Sequence, residues 1–195
     1  AGITLLAAMT AYWTFRYQTK YSKVFETFVI LSMLIPFASL MLPLVQVMKV
    51  LGLNNSMFGT ILTYWGIGLA FAFFMMQSAV KGLPVELEES GRIDGVSEFG
   101  LFWRIMLPQC KPTIVTLIIL GVNGAWNDLV WPLLVTGDIS MRTLSNGLAL
   151  FVGTDTVEYG AAFAGALISI LPMLVLYLIG QRYFVEGTVT SGLKG

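Results

Sequence analysis

Apolar residues run through this chain in long stretches, and polar residues collect in the short segments between them. Stretches near twenty residues occupy 24–47, 58–80, 112–135 and 159–179. Each is long enough, as a helix, to cross the roughly 30 Å of hydrocarbon in a bilayer. A shorter stretch, 1–15, would rise only about 22 Å. It has neither a basic leader nor a small-residue cleavage site, so it does not read as a signal peptide, and loss of part of an upstream span is the expectation. The pattern predicts an all-α polytopic membrane helix bundle of about five spans, the first incomplete, forming a single transmembrane domain over 1–195.

Lysine and arginine in the short connections set the orientation. Arg16, Lys20 and Lys23, then Lys81, Arg92, Arg104 and Lys111, then Arg182 and Lys194 fall on one side, nine in all. The segments 48–57 and 136–158 on the other side hold only Lys49 and Arg142. The nine-residue side is therefore expected to be cytoplasmic. Proline recurs inside the spans as Pro36, Pro43, Pro132 and Pro172. Each removes a backbone donor and bends its helix, which a bundle tolerates where neighbours or a watery cavity satisfy the freed carbonyls.

Composition agrees with a membrane. Of 195 residues 56% are hydrophobic and 11% charged, where a soluble domain carries about a quarter. Eleven basic and eleven acidic residues cancel, leaving no basic field for nucleic acid. The single cysteine, Cys110, forms no internal disulfide and reads as incidental. The complete lack of histidine removes imidazole metal sites and histidine-based triads.

One inside segment, 81–111, turns polar and then amphipathic. Pro84 suits a first helical turn, and Glu86, Glu88 and Glu89 follow where a helix N-terminus favours negative charge. A helix is expected over 84–92. Asp94-Gly95 reads as a turn, and Ser97 as the N-cap of a second helix over 97–106, stopped by Pro108. Phe99, Phe102, Trp103 and Met106 recur at helical spacing and are expected to grip the bundle. The alternative is a solvated acidic helix beside an interfacial one.

Within this segment Glu89-Ser90-Gly91, then Gly95, then Ile105 and Leu107-Pro108 meet the spacing E-A-A, three residues, G, nine residues, I-x-L-P. That resembles the EAA signature of ABC importer permeases. The flanking run from Leu83 to Glu89, Arg92-Ile93-Asp94-Gly95, Phe102-Trp103-Arg104, Trp126-Asn127-Asp128 with Trp131-Pro132, and the closing Gln181-Arg182-Tyr183-Phe184 and Gly192-Leu193-Lys194-Gly195 look like the carbohydrate, maltose-type branch. The two alanines are here Ser90 and Gly91; Gly91 costs a helix about 1 kcal/mol relative to alanine.

The resemblance implies a permease of a bacterial or archaeal cytoplasmic (inner) membrane. Its partners would be a second permease subunit, usually in a heterodimer, two ATPase subunits and an extracytoplasmic solute-binding protein. The hairpin would dock in a cleft of the ATPase, with Glu88, Glu89, Ser90, Gly91, Asp94, Gly95, Ile105, Leu107 and Pro108 forming the coupling segment. Glu88, Glu89 and Asp94 would offer acceptors to partner cations. ATP and Mg would bind on the ATPase and no cofactor on this chain, which holds no G-x-x-x-x-G-K-[ST] loop.

A second set of residues lies in the run 112–135. An acid inside a span costs about 2.5–3.5 kcal/mol on insertion scales. Asn123, Asn127 and Trp131 are four apart and would share one face, with Asp128 about 100° round. Amides, a carboxylate and an aromatic plate are what carbohydrate recognition uses, so these four are candidates for the substrate pathway; hydrogen bonding between helices is the alternative. An intramembrane enzyme would need a G-x-S-x-G, a G-x-G-D or histidine, all lacking. A channel would leave the EAA spacing unexplained, and amino-acid or phosphate import is the alternative within the family.

Overall fold

The computed structural model describes residues 2–149, 151 and 159–192, of which 182–192 are described in backbone only. Every regular element among the described residues is helical. The elements are α1 (Gly2–Arg16), α2 (Lys20–Ser32), α3 (Phe37–Val50), α4 (Met57–Lys81), α5 (Glu86–Ile93), α6 (Glu98–Gln109), α7 (Lys111–Asn127), α8 (Val130–Val135), α9 (Leu144–Ala149) and α10 (Tyr159–Gly192).

The membrane-crossing pattern is more broken than the sequence predicts. Among the described residues two helices are long and apolar enough to cross: α4, and α10 over Tyr159–Gln181. The expected span 24–47 is divided between α2 and α3 at Pro36, whose extended backbone (ψ 133°) stands just ahead of α3. The residue before a proline is also pushed out of the helical region, so a break here is local chemistry. The expected span 112–135 ends as a helix at Asn127 and resumes as the short α8. Counting α2 with α3 and α6 with α7 as single broken spans gives up to four, against the five expected.

The chain divides into two compact units, one from 1–35, 65–118 and 181 onward, the other from 36–64 and 119–180. The core of the first is built on small residues. Ala7, Ala8 and Ala11 of α1 are fully enclosed, together with Ala70, Phe73 and Met76 of α4, Phe102 and Met106 of α6 and Leu117 of α7. Alanine on a helix face lets backbones approach closely, which replaces the hydrophobic drive that lipid does not supply. Phe25 sets its ring edge-on to Phe73 at 5.7 Å. In the second unit Trp131 is fully buried among Met48, Val135, Phe37, Met41 and Tyr64. Asn55, with a left-handed backbone (φ 53°), accepts from the amides of Gly137 and Asp138 at 3.0 and 3.2 Å and donates to the Asp138 carboxylate. It thereby joins the two connections read as external.

Candidate functional site

The segment after α4 forms two helices joined by a tight reversal. At the end of α5 the amide of Val96 donates to the Gly91 carbonyl (2.9 Å) and that of Gly95 to Arg92 (3.0 Å). This is a Schellman stop, which needs a left-handed residue where Gly95 stands, at φ +75°. Ser97 then caps α6, its Oγ accepting from the amide of Gly100 at 3.2 Å. The second helix outruns its expected end. A π-turn covers Leu101–Met106, and the helix continues through Pro108 to Gln109. A proline ring crowds the carbonyl four residues back, and a widened turn ahead of Pro108 relieves that crowding. At Cys110 the chain bends by 71° into α7.

Close packing of the two arms explains the glycine in the motif. A Cβ on the buried Gly91 would lie 2.6 Å from both Ile105 Cδ1 and Leu101 Cδ2. The helix-propensity cost at Gly91 is therefore offset by an approach that a larger residue would push apart. Leu107 is half-buried beside the core, whereas Glu89, Ser90, Asp94 and Pro108 are exposed. Phe102 and Met106 do grip the bundle, but Phe99 does not: it is 71% exposed, with its ring 5.8 Å from Trp103. Ile93 beside the turn is 86% exposed. An open concavity of about 510 Å³ is lined by the turn at 94–97 and by Phe99, Trp103 and Arg104.

Glu88 is a correction to the sequence reading. It is buried, and its Oε1 accepts from Tyr12 Oη at 2.9 Å and Arg92 Nη2 at 2.6 Å, with Arg16 Nη1 at 3.3 Å. A carboxylate so enclosed is occupied within the chain and offers nothing to a partner's cation. Arg16 also donates to Glu98 Oε1 at 3.1 Å, and Arg92 Nε lies 3.4 Å from the same oxygen. Two arginines and two glutamates thus neutralise one another, which is what allows charge to be buried at all. Sequence reasoning treated Arg16 as a topology marker and did not single out Tyr12.

The proposed pathway residues are not brought together on one face. Because the helix ends at Asn127, the four-residue spacing from Asn127 to Trp131 does not place them in line. Trp131 is fully buried, edge-on to Phe37 at 5.6 Å, so it presents no aromatic plate. Asp128 stands in the break and holds it: Oδ1 accepts from the amides of Val130 (3.0 Å) and Trp131 (3.2 Å), and Oδ2 from Tyr64 Oη (2.8 Å). Asn123 and Asn127 remain exposed, with Asn127 Nδ2 donating to Asn123 Oδ1 at 3.0 Å. Asn146, buried and missed from sequence, faces the break from α9. With its amide oriented to satisfy both partners, the nitrogen donates to the Leu129 carbonyl (2.9 Å) and the oxygen accepts from the Leu133 amide (3.0 Å). Among the described residues no cluster of three or more acidic or cysteine side chains could hold a metal.

Residues 3–187 match the family described as "Binding-protein-dependent transport system inner membrane component". The chain belongs to this family.

Several sugar-transport permeases of this family are similar to it along nearly the whole chain. An arabinooligosaccharides transport system permease of Halalkalibacterium halodurans is 37% identical over 98% of this chain and 68% of its own length. A protein of Thermoanaerobacterium thermosulfurigenes named as a probable starch degradation products transport system permease is 35% identical over 98% of this chain and 70% of its own. A lactose transport system permease of Rhizobium radiobacter is 30% identical over 97% and 69%. Of the closing residues noted in the sequence, the side chains of Arg182, Tyr183 and Phe184 and all of Leu193, Lys194 and Gly195 lie outside the described residues. Burial pushes the Cys110 thiol up to about 11, consistent with an unreactive packing residue.

Proposed function

We propose that this permease carries a sugar or oligosaccharide inward, driven by a separate ATPase that docks on the α5–α6 hairpin. The observation that carries the solute class is that the similar permeases are named for arabinooligosaccharides, starch degradation products and lactose. The hairpin's role rests on the spacing from Glu89 through Gly95 to Leu107-Pro108 and on its exposed tip, where Ile93 and Phe99 stand free beside Glu89 and Asp94. Exposed apolar side chains flanked by carboxylates suit burial in a partner's cleft better than contact with water. A sister permease, an extracytoplasmic binding protein and paired ATPase subunits carrying ATP and Mg complete the assembly in a bacterial or archaeal cytoplasmic membrane.

Asn123 and Asn127 are the residues of this chain that we assign to the solute path, since their amides are exposed. The test is uptake by proteoliposomes holding the complete complex and its binding protein, with radiolabelled arabinotriose, maltotriose, lactose, glutamate and phosphate offered in turn. ATP-dependent uptake of a saccharide alone is expected. Uptake of glutamate or phosphate in its place would overturn the solute class.

A further inference from the structure

We propose that Arg16 and Tyr12 gear the α5–α6 hairpin to α1, so that movement of the hairpin is carried into the first helix instead of being lost as slip between them. The inference rests on the reading of the hairpin as the ATPase-docking element. Arg16, at the end of α1, holds both arms: Glu88 of α5 at 3.3 Å and Glu98 of α6 at 3.1 Å. One turn earlier, Tyr12 donates to the same Glu88 oxygen at 2.9 Å and lays its ring 5.4 Å from Phe102 of α6. Arg92 holds Glu88 and Glu98 from within the hairpin, so the arms are tied to each other and both are tied to α1.

The chemistry suits transmission better than mere attachment. Apolar packing is non-directional and lets surfaces slide, whereas charge-assisted bonds at fixed donor positions resist displacement in particular directions. Glu88 is buried and Arg16 largely so, with side chains 4% and 24% exposed, so solvent screens their pairing little. Ala7, Ala8 and Ala11 then bury one face of α1 against the core of the same unit, so a push received at Arg16 meets a packed helix.

The complete complex in proteoliposomes tests this, with ATPase recovery, ATP hydrolysis and uptake of whichever saccharide the panel above transports measured separately. In Arg16→Gln the ATPase is expected to co-purify and hydrolyse ATP, while saccharide moved per ATP falls about tenfold, the scale of one charge-assisted contact. Arg16→Lys should restore most of the ratio. Arg16→Gln combined with Glu88→Gln removes both charges of the pair, keeps the complex assembled and should remain uncoupled. If that double variant couples normally, or if hydrolysis and uptake fall in step in all variants, the cluster serves the fold alone and the inference is wrong. Phe99→Ser and Gly95→Val separate this from failure of the docking reading. If both leave ATPase recovery unchanged, the docking reading itself falls. If they lower recovery while the Arg16 variants couple normally, only the gearing falls.

Discussion

At the scale of single residues, Gly95 and Arg16 show two kinds of constraint. Gly95 is fixed by backbone alone: its φ is +75°, and a Cβ built there would meet nothing within 4 Å. Substitution therefore costs what the left-handed conformation costs, about 1–2 kcal/mol for an ordinary residue. Asparagine adopts that conformation readily, whereas a β-branched side chain does not. Gly95→Asn should keep both uptake and ATPase recovery near the parent's. Gly95→Val should lower both, measured as saccharide uptake and as ATPase co-purified per permease. Equal behaviour of the two would show that the turn does not govern docking. The turn was legible in the sequence because Asp-Gly and a following serine carry their meaning locally. The partnership of Arg16 with Glu88 was not, because it joins residues 72 positions apart by number, and charge counting along a chain reveals sidedness without revealing partners. Glu88 illustrates the difference: the motif supplies its position, and only the packing of Tyr12 and Arg16 shows that its carboxylate is already taken.

At the scale of helices, what hydropathy reads well is which segments are apolar, and what it cannot read is where an apolar segment changes direction. α4 and α10 were legible because nothing in them competes with the helix strongly enough to stop it, Pro172 included. Runs 24–47 and 112–135 have the same apolar character, yet both are broken. In the second, Pro132 falls in the first turn of α8, where its missing N–H leaves no bond unmade. Asp128 takes the amides of Val130 and Trp131. This is why the proposed face from Asn123 to Trp131 does not exist: the spacing argument assumed an unbroken helix. Asn146 supports the same break from outside it, and its removal is the test. Asn146→Leu would remove both bonds of this buried amide, while the Leu133 amide keeps its own bond to the Leu129 carbonyl at 3.3 Å, so the loss is about 1 kcal/mol for each bond removed. The purified protein should unfold at lower temperature by several degrees, while Asn146→Asp, which keeps an acceptor for Leu133, should lose less. Unchanged melting in Asn146→Leu would mean that the break is held by Asp128 and Tyr64 without it.

At the scale of the whole chain, the basic residues sort with the two compact units. Arg16, Lys20, Lys23, Lys81, Arg92, Arg104 and Lys111 belong to the unit built from 1–35 and 65–118, whereas Lys49 and Arg142 belong to the unit built from 36–64 and 119–180. The positive-inside rule predicts that the hairpin segment 81–111 is cytoplasmic and that the connections 48–57 and 136–158 are external. Exposure makes this testable without ambiguity from burial. Phe99 is 71% exposed at the hairpin tip and Ile139 is 78% exposed in the connection after α8, so a thiol at either place is free to react wherever the reagent can reach. Cys110 does not interfere, being buried with its thiol held up near 11, so its thiolate is scarce at neutral pH. In intact cells, Ile139→Cys should label with a membrane-impermeant maleimide and Phe99→Cys should not; after permeabilisation both should label. Labelling of Phe99→Cys from outside would reverse the orientation and place the hairpin where no cytoplasmic ATPase could dock. Labelling of both from outside would mean that the helices between them do not separate two aqueous sides, and the division of charge between the units would have lost its explanation.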